Sequence, residues 1–147
     1  MAIDPSRRRR WMPAAVSGLV GLLVGLLVGY ALRSGPDPAG AIEETRTALL
    51  GAAATLEIVG VEYAESVEGG RIVAGSEHEA ALDALASSRE RYAEAAGVVA
   101  VVSPASARAI EDGYERLERM IRDLADEEDV RTAAESLGDT LASALRA

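Results

Sequence analysis

Pro13 to Leu32 is a run of twenty residues without a charged side chain. A helix needs about 20 apolar residues to cross a bilayer, and a soluble surface helix would keep a polar side. The run therefore predicts a transmembrane helix over 13–32, preceded by a basic arm over 1–12. A linker over 33–40 contains Ser34-Gly-Pro-Asp-Pro38. Beyond it, over 41–147, the pattern becomes amphipathic.

Asp37 followed by Pro38 is a cap and first-position pair, so a long helix is expected to start there. Ile42, Leu49, Leu56 and Tyr63 recur every seven residues, with Ala53, Gly60 and Val67 four positions after three of them. That stripe predicts one buried face, and Gly69-Gly70 is expected to end the helix. Ser76-Glu-His-Glu79 has the form of a capping box and places the next helix start near Glu77. Leu82, Leu85, Arg89, Tyr92, Ala96 and Val99 then step by three and four, up to Ser103-Pro104. Ile110, Tyr114, Leu117, Ile121 and Leu124 mark a third helix. After the acidic turn Asp126 to Asp129, Val130, Ala134, Leu137, Leu141 and Leu145 mark a fourth.

Four amphipathic helices with short connections imply an antiparallel bundle running up-down-up-down, with alanine-rich stripes for close packing. The only competing strand signal is the brief link Arg71-Ile-Val-Ala74. The expected fold class is thus all-α: an N-terminal single transmembrane helix followed by an antiparallel four-helix bundle.

The flanks of the uncharged run set its orientation. Arg7 to Arg10 precede it, and only Arg33 and Arg46 follow at close range, which keeps the amino terminus cytoplasmic and puts the bundle outside the cell membrane. Four arginines beside a spanning helix are a topological signal rather than a twin-arginine export signal. The first small-x-small triplet after the run, Ala39-Gly40-Ala41, lies well beyond Arg33, so a cleaved leader is disfavoured.

Charge divides along the chain. Residues 34–147 hold ten Arg against twenty-three Asp and Glu, leaving this part 13 negative. Such a surface repels nucleic acid and attracts cations. Cysteine is absent, which removes disulfides and thiolate metal sites. The lack of Lys, Asn, Gln and Phe beside twenty-nine Ala reflects a GC-rich coding bias.

Gly21, Gly25 and Gly29 form a tandem Gly-x-x-x-Gly series with Gly18 near the same face. Small residues at that spacing let two membrane helices approach closely. The expectation is a homodimer, or a partner membrane protein, docked through this glycine face.

No base, nucleophile and orienting group occur together, so an enzyme is not expected. Carboxylates are the remaining chemistry. Glu62, Glu65 and Glu68 follow Glu57 on the first helix, and His78 lies just beyond the turn. Oxygen donors at helical spacing suit hard cations such as iron, manganese or calcium. Glu57, Glu62, Glu65 and His78 are therefore the candidate metal ligands. The Glu-x-x-His pairs of di-iron bundles are absent, and the same spacing also describes a solvated acidic face.

The stretch Leu56-Glu-Ile-Val-Gly-Val-Glu-Tyr63, with Glu68-Gly-Gly-Arg-Ile-Val73, Glu77-His78 and Leu82, resembles the helical extracytoplasmic domain that precedes the permease in many bacterial high-affinity iron (iron/lead) permeases. Residues 48–95 carry the resemblance, and the rest follows as helices of similar order. It implies that Glu57 and Glu62 occupy the family's acidic positions, Tyr63 its tyrosine and Gly70 its turn. Ile58 departs from an aromatic, His78 departs from a tyrosine, and the transporting Arg-Glu-x-x-Glu membrane helices are missing. The implied function is an anchored extracytoplasmic accessory domain of an iron uptake system. It would bind or relay cations, with iron as cargo and an iron permease as partner. The alternative is a metal-free membrane scaffold that assembles a cell-envelope complex.

Overall fold

A computed structural model describes residues 38–146. Helix α1 spans Pro38–Ser66, strands β1 (Val67–Glu68) and β2 (Arg71–Ile72) form a short hairpin, and α2 (Gly75–Val102), α3 (Pro104–Arg122) and α4 (Glu127–Ser143) follow. The expected transmembrane helix and its glycine face, Gly18, Gly21, Gly25 and Gly29, lie outside the described residues.

Cross-helix contacts set the arrangement. Ser88 on α2 donates to the carbonyl of Ala52 on α1 at 2.8 Å, and the rings of Tyr63 and His78 are 6.2 Å apart. Residue numbers rise on one helix as they fall on the other, so α1 and α2 are antiparallel. On its other side α1 meets α4, with Gly60 against Arg131 and Gly138 against Ala53. Helix α3 closes the ring: Arg89 on α2 reaches Glu111 on α3, and Gly113 on α3 lies under Leu137 on α4. A Cβ at position 113 would sit 2.7 Å from Leu137 Cδ1, so any larger residue here requires the Leu137 side chain to move. The four helices form the expected up-down-up-down bundle.

The core is mainly aliphatic, with three tyrosines. Leu49, Leu56, Val59, Leu85, Val99, Ile110, Leu117, Ile121, Val130 and Leu141 are buried, together with Ala52, Ala81, Ala95 and Ala134. Tyr63, Tyr92 and Tyr114 are the largest fully enclosed or nearly enclosed side chains, and the Tyr92 and Tyr114 rings pack tilted at 5.9 Å. The expected stripe holds at Leu49, Leu56, Gly60 and Tyr63 on α1 and runs on to Val67 in β1, whereas Ala53 is half-buried and Ile42 near the helix start is 51% exposed.

Three local expectations are corrected. First, α1 stops at Ser66, before Gly69-Gly70. The two glycines, at φ 58° and 72°, turn a hairpin that pairs Val67 with Ile72 and Glu68 with Arg71. Positive φ at both central residues is the geometry of a tight primed turn, which glycine adopts without a Cβ penalty. Second, the Ser76 capping box does not form. Val73 and Ala74 donate to the carbonyl of Ser66 at 2.8 and 3.3 Å, so the extended chain ends at Ala74 and α2 begins at Gly75. Ser76 Oγ then donates to Glu77 Oε2 at 2.7 Å instead of capping. Third, the buried face of α2 is the expected one at Leu85, Tyr92 and Val99 but shifts by one residue at the other three positions. Ala81, Ser88 and Ala95 are buried where Leu82, Arg89 and Ala96 were expected, and those three are half-buried.

The remaining helix ends match their signals. Pro104 opens α3 after Ser103, and Asp126 caps α4 by accepting from the Glu128 amide at 3.0 Å. On α3, Glu115–Arg119 and Glu118–Arg122 form surface pairs at 3.8 and 2.6 Å. Exposed pairs of this kind contribute at most about 1 kcal/mol.

Candidate functional site at the acidic end

Antiparallel packing brings the end of α1, the hairpin, the start of α2 and the α3–α4 turn to one end of the bundle. Residues 60–80 and 119–131, which build it, hold ten Asp and Glu against four Arg. Tyr63 anchors this end, because its ring is buried and its hydroxyl donates to the Ala125 carbonyl at 2.6 Å. Burial, and then the negative charge of Asp126, push the Tyr63 pKa above its ordinary value. The phenol therefore stays protonated and able to donate.

The α3–α4 turn is held in a fixed shape. Ala125 donates to Met120 at 3.0 Å and Leu124 to Ile121 at 3.3 Å, with Leu124 at φ 54°. This is the two-bond helix terminus in which a left-handed residue satisfies the last carbonyls. It presents Asp126 and Glu127 across a cleft of about 370 Å³ from Glu68 on the hairpin, with Gly69 and Gly70 on its wall.

Glu57 and Glu65 line a second concavity of about 450 Å³, between α1 and α4, with Glu135 and Arg131. Arg131 is bonded to Glu128 at 2.6 Å and to Glu135 at 3.2 Å, so it neutralises part of this groove. Glu62 is half-exposed on α1 and lines neither concavity. His78 stands in the first turn of α2 beside Tyr63, with Nδ1 buried and without a hydrogen-bond partner among the described residues. Of the four residues expected to share a metal, the structure thus brings only Glu57 and Glu65 to one groove. Among the described residues no group of three or more His, Asp or Glu is placed to hold a metal ion.

Such an arrangement produces a negative field over open clefts. Carboxylates that do not converge attract cations by charge and leave them their water. In the sequence Asp126 to Asp129 reads as an acidic turn, and nothing local to it places it opposite Glu68. The Gly69-Gly70 turn was the available signal, because a hairpin there carries Glu68 to the bundle end.

One helix among the described residues, Gly40–Ser66, is long and apolar enough to cross a membrane. In the bundle its Leu49, Ala52, Leu56, Val59 and Tyr63 are buried in the core. A family profile described as the iron permease-associated 4-helix bundle domain matches residues 38–147, the whole of the bundle, and the permease domain is not detected. No curated protein and no solved structure matches the chain.

Proposed function

The chain belongs to the family of iron permease-associated four-helix bundle domains, and from that premise we propose that it is a membrane-anchored accessory domain of an iron uptake system. The observation that carries the proposal is the extent of the family match, which runs from the first helix to the end of the bundle. The family's association is with transport rather than catalysis. Residues 13–32 serve as the anchor, with the basic arm cytoplasmic and the bundle outside, and an iron permease is the partner. The bundle's role is to gather cations near the permease through the field of its acidic end, without a tight resident site.

Titration of the purified full chain with ferrous and ferric iron tests this role. Weak, multi-site association at low ionic strength that fades at high salt supports it, since exposed charges are screened within about 10 Å at 0.1 M salt. A silent calorimeter at low salt removes the cation role and leaves the scaffold reading.

That second reading has its own support in the outer face of α1. Leu50, Ile58 and Val61 there are 49%, 49% and 58% exposed, which suits docking against another protein. In the membrane, Gly18, Gly21, Gly25 and Gly29 supply a close helix contact for a second copy or for the permease. Gly25→Ile abolishes association in a membrane two-hybrid assay if that contact operates.

A further inference from the structure

The end of the bundle opposite the acidic clefts has the reverse chemistry. Because the helices alternate in direction, the start of α1, the α2–α3 corner and the last residues of the bundle share this end. Glu94 and Arg108 enclose thirteen consecutive uncharged residues, and these build the corner. Within it Val101 is 83% exposed and Val102 is 54% exposed, while Ala100, Pro104 and Ala105 are also exposed. Ile42, near the start of α1, adds a side chain that is 51% exposed. Segments 40–46, 95–108 and 143–146 together carry Glu43 and Glu44 against Arg46, Arg108 and Arg146. This end is close to neutral, while the other carries a large excess of acid.

Chain length decides what this end meets. Pro38 opens α1, and only residues 33–37 separate it from the uncharged run 13–32. Five residues span at most about 18 Å in any conformation. Helix α2, with 28 residues, is about 42 Å long. A chain anchored through 13–32 therefore holds the apolar end within reach of the bilayer surface. The acidic end can lie about 40 Å away, where anionic headgroups no longer repel it.

We infer that the α2–α3 corner rests in the lipid interface, with Val101 and Val102 inserted among the headgroups, so that the bundle stands upright with its acidic clefts facing away from the membrane. The inference rests on the anchored reading of residues 13–32. Apolar side chains at a membrane-facing tip are stabilised by burial at the headgroup boundary. Neutrality at this end makes the contact insensitive to salt, unlike that of a basic patch.

The absence of cysteine allows a clean test in the full chain. Val101→Cys and Thr132→Cys are spin-labelled separately in lipid nanodiscs of mixed zwitterionic and anionic composition. Both positions are exposed, so helical content measured by circular dichroism should match the parent. Collision with oxygen relative to a water-soluble nickel complex is then compared. The expected result is a ratio several-fold higher at 101 than at 132, unchanged by salt. Adding Val102→Asp to the Val101→Cys chain should lower the ratio at 101 towards the aqueous value.

An aqueous ratio at both positions in a chain that stays lipid-bound overturns the inference and leaves the anchor standing. A label at 101 shielded from both reagents also overturns it, in favour of a protein contact. A chain that fails to remain with lipid removes the anchored reading and this inference together.

Discussion

Ser88 on α2 and Tyr114 on α3 meet through their side-chain oxygens at 2.8 Å inside the bundle, and the same serine oxygen lies 2.8 Å from the Ala52 carbonyl on α1. A serine hydroxyl has one proton to give. With that proton on Ala52, Tyr114 is the donor to Ser88, and the chain of bonds Tyr114 to Ser88 to Ala52 links three helices. Arg89 lies over the Tyr114 ring at 5.9 Å and reaches Glu111 at 3.2 Å, which closes the outer side of this network.

Ser88→Ala leaves the Tyr114 hydroxyl buried without its acceptor and should cost about 1–3 kcal/mol. Tyr114→Phe removes the donor but leaves the bond from Ser88 to Ala52, and should cost about 1 kcal/mol. In the phenylalanine background, Ser88→Ala should cost less than it does alone, because the two residues are in direct contact. Chemical denaturation of the four proteins in the cycle measures the difference. Equal costs in both backgrounds would show that the two hydroxyls act independently.

The same burial governs behaviour in alkali. Burial pushes the Tyr114 pKa up from 10.0 to about 12, with Tyr92 and Glu111 adding to the rise, while Arg89 opposes it, as does the Ser88 hydroxyl when it turns to donate to the phenolate. A phenol with a higher pKa folded than unfolded holds its proton more tightly in the native state. Its contribution is therefore complete below pH 10 and is lost as pH climbs through 10 to about 12. Tyrosinate absorbance should show a late-titrating group in the native protein. Tyr114→Phe should lack that group and lose stability less steeply across this window.

Most of the bundle was legible because a 3.6-residue period survives in every helix. Ile110, Tyr114, Leu117 and Ile121 fall on the buried face of α3, and Val130, Ala134, Leu137 and Leu141 on that of α4, where the sequence places them. The face of α2 is legible at Leu85, Tyr92 and Val99 but not at the other three positions, because Leu82 outweighs Ala81 by hydrophobicity. A close contact with α1 needs the small side chain inside, and it needs Ser88 there too, with its hydroxyl satisfied by Ala52. Of the hairpin only the Arg71-Ile-Val-Ala74 side is legible, for another reason. Two-residue strands are too short for alternation to register, and only the two glycines at positive φ betray the turn. The candidate ligands are three carboxylates of α1 with His78 across the turn, whereas the acidic cleft joins Glu68 to Asp126 and Glu127, residues brought together only by the antiparallel path.

Leu124 offers a test of backbone strain. Its φ of 54° is the one positive value outside glycine among the described residues. A β-branched residue is least suited to that region. Leu124→Val should therefore cost about 1–3 kcal/mol, although it removes only one methylene. Leu124→Gly removes far more apolar surface but relieves the strain, and should cost less. If thermal unfolding ranks glycine as the worse of the two, apolar packing rather than conformation dominates at this turn.

Glu68→Gln, Asp126→Asn and Glu127→Gln together test where cations collect. Asparagine caps a helix as well as aspartate does, so the start of α4 should persist and far-ultraviolet circular dichroism should be unchanged. The three substitutions remove negative charge from the cleft lined by Glu68 of the hairpin and by Asp126 and Glu127 of the α3–α4 turn. Association of Mn(II), followed by its electron paramagnetic resonance signal at low ionic strength, should weaken several-fold. The companion pair Glu57→Gln and Glu65→Gln should have a smaller effect, since Arg131 already offsets that groove. At high salt all three proteins should converge, because the attraction comes from a screened field. A triple variant that binds Mn(II) like the parent would move the cation-gathering surface away from the cleft and onto the acidic end as a whole.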